Sequence, residues 1–122
     1  MKKVTKKDFK LFVNGFTGWQ TFFGLSDYRV NFYHDQLEED IAANITTDLE
    51  ARVCEVRLTT QIVDGGEIDF RQVAFHEACE LLLNDLSELA TRRYLRGDDE
   101  VAAARHAIIR RLENSVYRSF KL

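Results

Sequence analysis

His76, Glu77 and Glu80 are the residues of this chain whose types and spacing best suit them to chemistry. They lie in His76-Glu77-Ala78-Cys79-Glu80, one residue away from the zinc-peptidase signature His-Glu-x-x-His. On a helix, positions four apart project from one face a turn apart, so His76 and Glu80 can offer two donors to one ion. Glu77 falls about 100° around the helix from His76, within reach of a water on that ion. In such a site the metal polarises the scissile carbonyl and acidifies the water. The glutamate takes the water's proton and later delivers it to the leaving amine. A carboxylate in place of the second histidine lowers the net charge of the site. That favours a harder cation such as Mn²⁺ over Zn²⁺ and leaves the bound water less acidic.

These residues need a helix to present them. Asp69 followed by Gln72 reads as a capping box that opens a long helix, roughly Phe70 to Leu95. Its expected buried stripe is Phe75, Cys79, Leu82, Leu86 and Leu89. Gly97 ends it, and Asp98 or Asp99 caps a last helix running to about Phe120 with Ile108, Leu112 and Val116 along one side. If the two helices run antiparallel across a turn near Arg96-Gly97, position 76 faces about 116 and position 80 faces about 112. Glu113 falls between them and is the expected third ligand, with the fourth position open for water. His106, opposite about position 86 and two turns from the motif, is the reserve ligand. Tyr117, one turn beyond Glu113, is placed to donate to a developing oxyanion. The plainer reading of the same spacing is a solvated helix face that holds no metal.

Upstream, Phe9, Phe12, Val13, Phe16, Trp19 and Phe23 recur at spacings of three and four, which predicts a helix from Thr5 to Phe23. Gly15 and Gly18 weaken it and point to close packing or a kink, and Gly24 stops it. Tyr28 to Tyr33 alternates as a strand. Ile41 to Thr47 and Ala51 to Thr60 read as two more, joined near Asp48. The alternation falters across Cys54 and Glu55, which leaves a bulge or a shifted register open. Asp64-Gly65-Gly66 then breaks the chain. The expected fold class is α+β: an N-terminal helix, a three-stranded, mainly antiparallel sheet and two antiparallel C-terminal helices. With 122 residues, no proline and no linker or repeat, one domain over residues 1–122 is expected.

Net charge is −3 with a pI near 5.6, which counts against binding nucleic acid by neutralising phosphates. Arg92, Arg93, Arg96, Arg110 and Arg111 form a local basic patch, but Asp98, Asp99 and Glu100 beside them point to helix-end charge pairing. Lys2, Lys3, Lys6 and Lys7 imitate the start of a signal peptide, yet Asp8, Lys10 and Asn14 interrupt the apolar residues after them. No stretch reaches the apolar length needed to span a bilayer. Cys54 and Cys79 lack metal-site or disulfide spacing and read as buried, reduced thiols. A cytoplasmic location is expected. His34-Asp35 is either a second ligand pair or an exposed turn.

The chain resembles the minimal zincin-like (gluzincin-like) metallopeptidase-type proteins of phage and prophage genomes. The resemblance runs through Trp19-Gln20, Phe23-Gly24-Leu25 and Asp27-Tyr28. It continues in His76-Glu77-Ala78-Cys79, Leu81-Leu82-Leu83 and His106-Ala107-Ile108-Ile109-Arg110-Arg111-Leu112-Glu113-Asn114. It implies a compact gluzincin-like fold in the host cytoplasm, with His76 as ligand, Glu77 as base, an acidic third ligand downstream and a protein or peptide substrate. Two positions depart from the pattern. Glu80 stands where the family usually has its second histidine, and Arg105 precedes His106 where relatives often carry an acidic residue. The departures open an alternative: a metal-free, catalytically inactive relative that binds a protein partner, as a monomer or a homodimer.

Overall fold

The computed structural model describes residues 2–63, 67–93 and 98–120. In chain order the elements are β1 (Lys2–Lys3), α1 (Lys6–Phe22), β2 (Arg29–His34), β3 (Ala43–Asp48), β4 (Val53–Leu58) and β5 (Gln61–Ile62). They continue with α2 (Phe70–Leu82), α3 (Asn84–Arg93), α4 (Asp98–Leu112), a π-helical turn (Glu113–Tyr117) and α5 (Arg118–Phe120). The fold is α+β as expected, with an N-terminal helix, a three-stranded sheet and C-terminal helices. The expected breaks at Asp64-Gly65-Gly66 and at Gly97, and the helix end near Leu95, lie outside the described residues.

α1 is closed at both ends by its own sequence. Thr5 accepts from the Asp8 amide at 3.1 Å while Asp8 accepts from the Thr5 amide at 2.9 Å, a complete capping box. At the other end Gly24 adopts φ +72°, and the amides of Gly24 and Leu25 bond back to Thr21 and Gln20. This is a Schellman closure, which a residue with a side chain would strain. Phe12, Phe16 and Trp19 are fully buried against α2 and the sheet. α1 and α2 approach closely at Gly15: a Cβ there would lie 3.2 Å from the Cβ of Ala74.

The sheet has the order β2-β4-β3, and it is mixed rather than mainly antiparallel. β4 pairs antiparallel with β3 but parallel with β2. The cause is the connection after β2. Asp35 bonds to the Leu58 carbonyl, Leu37 to the Thr59 hydroxyl, and Thr59 in turn to the Ala42 carbonyl. The chain therefore passes over the end of β4's position and returns on its far side, and the β3–β4 hairpin fills the gap. Cys54, Val56 and Leu58 face the core and Val53, Glu55 and Arg57 face away, so β4 alternates cleanly without a bulge. The small β1–β5 pairing was not expected, because two-residue strands carry no periodicity.

Two expected stripes change. The long helix breaks at Leu83, where φ −92° and ψ 0° leave the helical region. There Asn84 bonds to Thr47 and Asp85 to Tyr28 and Arg52, so polar side chains turn toward the sheet and Leu86 is left 63% exposed. On α4, among the described side chains, Ile109 is buried and Ile108 is turned outward.

Candidate metal centre

α2 begins at Asp69, whose Oδ1 accepts from the amides of Arg71 and Gln72. The reciprocal Gln72 half of the expected box is not formed. Asp69 Oδ2 accepts a 2.6 Å hydrogen bond from the Tyr117 hydroxyl, so the same residue anchors the π-helical turn to the start of α2. About two turns further along, α2 presents His76, Glu77 and Glu80 toward α4 and the first half of β3.

His76, Glu80 and His106 form one cluster in which every ligand atom lies within 4.8 Å of the others. His106 Nε2 is 3.2 Å from Glu80 Oε2, and His76 Nε2 is 3.7 Å from the same oxygen. Three donors held about 2.1 Å from one tetrahedral ion would sit about 3.4 Å apart, so these spacings fit a Zn²⁺-sized ion. Behind the cluster, Glu113 Oε2 lies 3.6 Å from His76 Nδ1. A carboxylate on the far nitrogen orients a ligating imidazole and raises its basicity. Glu113 thus meets His76 from the side opposite the cluster, in a supporting position, while His106 could supply the third donor to an ion.

The helix register explains the exchange. Extending one straight helix to Leu95 set position 80 opposite about 112. The break at Leu83 ends that geometry, and Glu80 instead meets Arg105 and His106. The π-helical turn then inserts extra backbone, allowing Glu113 and Tyr117 both to face α2. Tyr117 does not join the cluster. Its side chain is buried among Trp19 and Phe75, and burial together with the Asp69 carboxylate pushes its pKa up.

Arg105 is the residue whose role spacing did not reveal. Its Nε forms an ion pair with Glu80 Oε1, so Glu80 is shared between one guanidinium and two imidazoles. Burial pushes the Glu80 carboxyl up, but His76, Arg105 and His106 together hold it down at about 2. Contact with Glu80 raises the His76 pKa against the opposing effect of burial, with Glu77 and Glu113 adding to the rise. Glu77 differs in kind. It is 6% exposed, has no hydrogen-bond partner among the described residues, and burial pushes its carboxyl up to about 7. The signal for Arg105 was there to find: it directly precedes the candidate ligand His106.

The other candidates lie apart from this cluster. The His34 ring stacks on Phe9 with centroids 4.8 Å apart, and Asp35 is exposed. Cys54 and Cys79 are free and buried, and burial pushes both thiols up to about 12. Of the arginine patch, Arg110 borders the cleft and Arg111 is exposed. Arg96 and the side chains of Arg92 and Arg93 lie outside the described residues. Among the described residues no helix is long and apolar enough to cross a membrane.

The cluster opens onto a cleft of about 800 Å³ bounded by α2, α4 and residues 40–45. A further cavity of about 430 Å³ continues past Ile45 and Glu80, which line both. β3 forms the edge of its sheet here, and among the described residues no strand pairs with its outer side. Comparison with known proteins adds no relative: no family model, no curated protein and no solved structure matches the chain.

Proposed function

We propose that the protein is a metal-dependent hydrolase of the zincin-like type that acts on peptide bonds. The observation that carries this reading is the convergence of His76, Glu80 and His106 on one point beside the buried, unpartnered carboxylate of Glu77. Two imidazoles and a carboxylate suit Zn²⁺, and the anionic member keeps Mn²⁺ open. A cation held there would supply Lewis-acid polarisation of a carbonyl and acidify water. Glu113 holds the His76 ring with its Nε2 turned to the cluster. Glu77 takes a proton from water in the cleft and returns it to the departing amine. The free edge of β3 offers backbone groups to an extended chain, the way peptides add to exposed sheet edges. Tyr117 has no part in this chemistry, because its hydroxyl is held by Asp69.

A second reading has one specific observation in its favour. Arg105 already places a positive charge on Glu80, so the network is electrostatically complete without an ion. On that reading the chain is a metal-free scaffold that binds a protein partner.

Incubating chelator-treated protein with Zn²⁺ or Mn²⁺ and a library of unstructured peptides separates the two. The hydrolase reading expects metal-dependent cleavage that Glu77→Gln abolishes while the fold and bound metal remain. No cleavage with either metal would leave the scaffold reading, and cleavage unaffected by Glu77→Gln would remove Glu77 as the base.

A further inference from the structure

Between Leu83 and Ile109 the chain leaves the apolar core. Leu83 packs against that core and Ile109 is fully buried in it. Among the described side chains, none of α3 and none of α4 before Ile109 joins it. Beneath the two helices lies the cavity of about 430 Å³, lined by Ile45 of β3, Asn84 and Ser87 of α3 and Ala102 of α4. The pair therefore does not close down on the sheet there. A helix of 10 residues such as α3 is marginal in water without tertiary packing.

Polar bonds tie this pair of helices at both ends. At the foot of α3, Asn84 accepts from the Thr47 hydroxyl at 2.9 Å. Beside it Asp85 accepts from the Tyr28 hydroxyl at 2.8 Å and from the Arg52 guanidinium at 2.8 and 3.1 Å. Arg52 reaches there from a turn at φ +56°, a conformation strained for a residue with a side chain. Arg52 and Asp85 are both substantially solvated, so this clamp is weak enough to open. On α4, Arg105 and His106 tie the pair to Glu80.

We propose that α3 and α4 up to Ile108 are a flap that opens and recloses as one unit between the core anchors Leu83 and Ile109, with the bonds of Asn84 and Asp85 as its latch. Released from the latch and from Glu80, the flap has too little apolar burial to keep its helices, so opening is a local unfolding. It carries His106 away from Glu80, and the His76–Glu80–His106 cluster is complete only in the closed form. An ion held by all three residues binds the closed form alone and holds the flap shut. The opening needs no metal; only this last link rests on the cluster holding an ion.

The test is hydrogen exchange of the full chain read by mass spectrometry, first in chelator and then with excess Zn²⁺. In chelator, the amides of α3 and of residues 98–108 should exchange together, at least about tenfold faster than those of α1 and α2. Asn84→Ala combined with Asp85→Ala should speed that block about fivefold or more and leave α1 and α2 unchanged. Arg52→Gly should act in the same direction, since glycine adopts the positive φ and keeps the turn. Exchange of the block as slow as that of α2, separate rates for α3 and α4, a block indifferent to both variants, or acceleration of the whole chain in both would each overturn the flap. Zn²⁺ should slow the block several-fold, and an ion bound without slowing it would overturn the link to the cluster. If no ion binds, the metal reading alone fails and the exchange in chelator still decides the flap.

Discussion

Arg105 and Glu80 form an ion pair at the centre of the candidate site, the guanidinium on Oε1 while Oε2 faces both histidines. A cation fixed on one oxygen of a ligand competes with any ion arriving at the other. Arg105→Ala should therefore have two opposite effects. Without metal it should destabilise the protein by about 1–3 kcal/mol, because Glu80 is left with a partly buried, undercompensated charge. With Zn²⁺ present it should bind the ion about tenfold or more tightly than wild type, since one repelling charge is gone. Urea unfolding with and without Zn²⁺ checks both. Stability equal to wild type under both conditions would mean that the pair carries no weight.

The Tyr117–Asp69 bond makes a prediction about what is not catalytic. Tyr117→Phe removes a 2.6 Å hydrogen bond to a carboxylate and should cost about 1.5–3 kcal/mol of stability. Any metal-dependent hydrolysis should be preserved in the fraction that remains folded. A selective loss of turnover at unchanged metal affinity and peptide binding would return Tyr117 to the reaction.

The motif was legible in sequence because four-residue spacing on a helix fixes a shared face whatever the helix packs against. Gly24 as a helix stop and Asp69 as an N-cap also read correctly, since capping depends on local bonding, although the reciprocal Gln72 bond does not form and the Thr5–Asp8 box was not anticipated. What sequence did not disclose depends on contacts distant in the chain. Leu83 breaks a strongly periodic helix because Thr47, Tyr28 and Arg52 wait on the sheet for Asn84 and Asp85. That break moved His106 into the cluster and left Glu113 behind His76. Similarly, nothing local marks β2 and β4 as parallel, because their pairing is decided by a connection that crosses Thr59.

Close approach at Gly15 gives a packing test. Gly15→Leu would push a branched side chain into Ala74, whose Cβ is carried rigidly on α2. Overpacking of this kind costs about 1–3 kcal/mol, more than the helix propensity gained. An unchanged urea midpoint would show that α1 and α2 can separate freely.

Arg52 holds Asp85 through two hydrogen bonds, 2.8 and 3.1 Å, and lowers its pKa. A carboxyl with a lowered folded-state pKa contributes stability that is fully present above its ordinary value of about 4. That contribution is lost as pH falls through the lowered folded value. Asp85→Asn should accordingly reduce stability near neutral pH and narrow its gap to wild type as pH drops below about 4. A gap that widens on acidification would contradict this sign. Both groups are substantially solvated, so the effect is small.

The most direct measurement of the central claim is calorimetric titration of Zn²⁺ into chelator-treated protein, run in parallel on wild type, His76→Ala, His106→Ala and Glu113→Ala. The account predicts one ion per chain in wild type and loss of binding in the two histidine variants. Glu113→Ala should still bind, weakened about 10–100-fold, as expected for a residue that orients a ligand. Failure of wild type to take up an ion, or retention of full affinity in His76→Ala and His106→Ala, would contradict it.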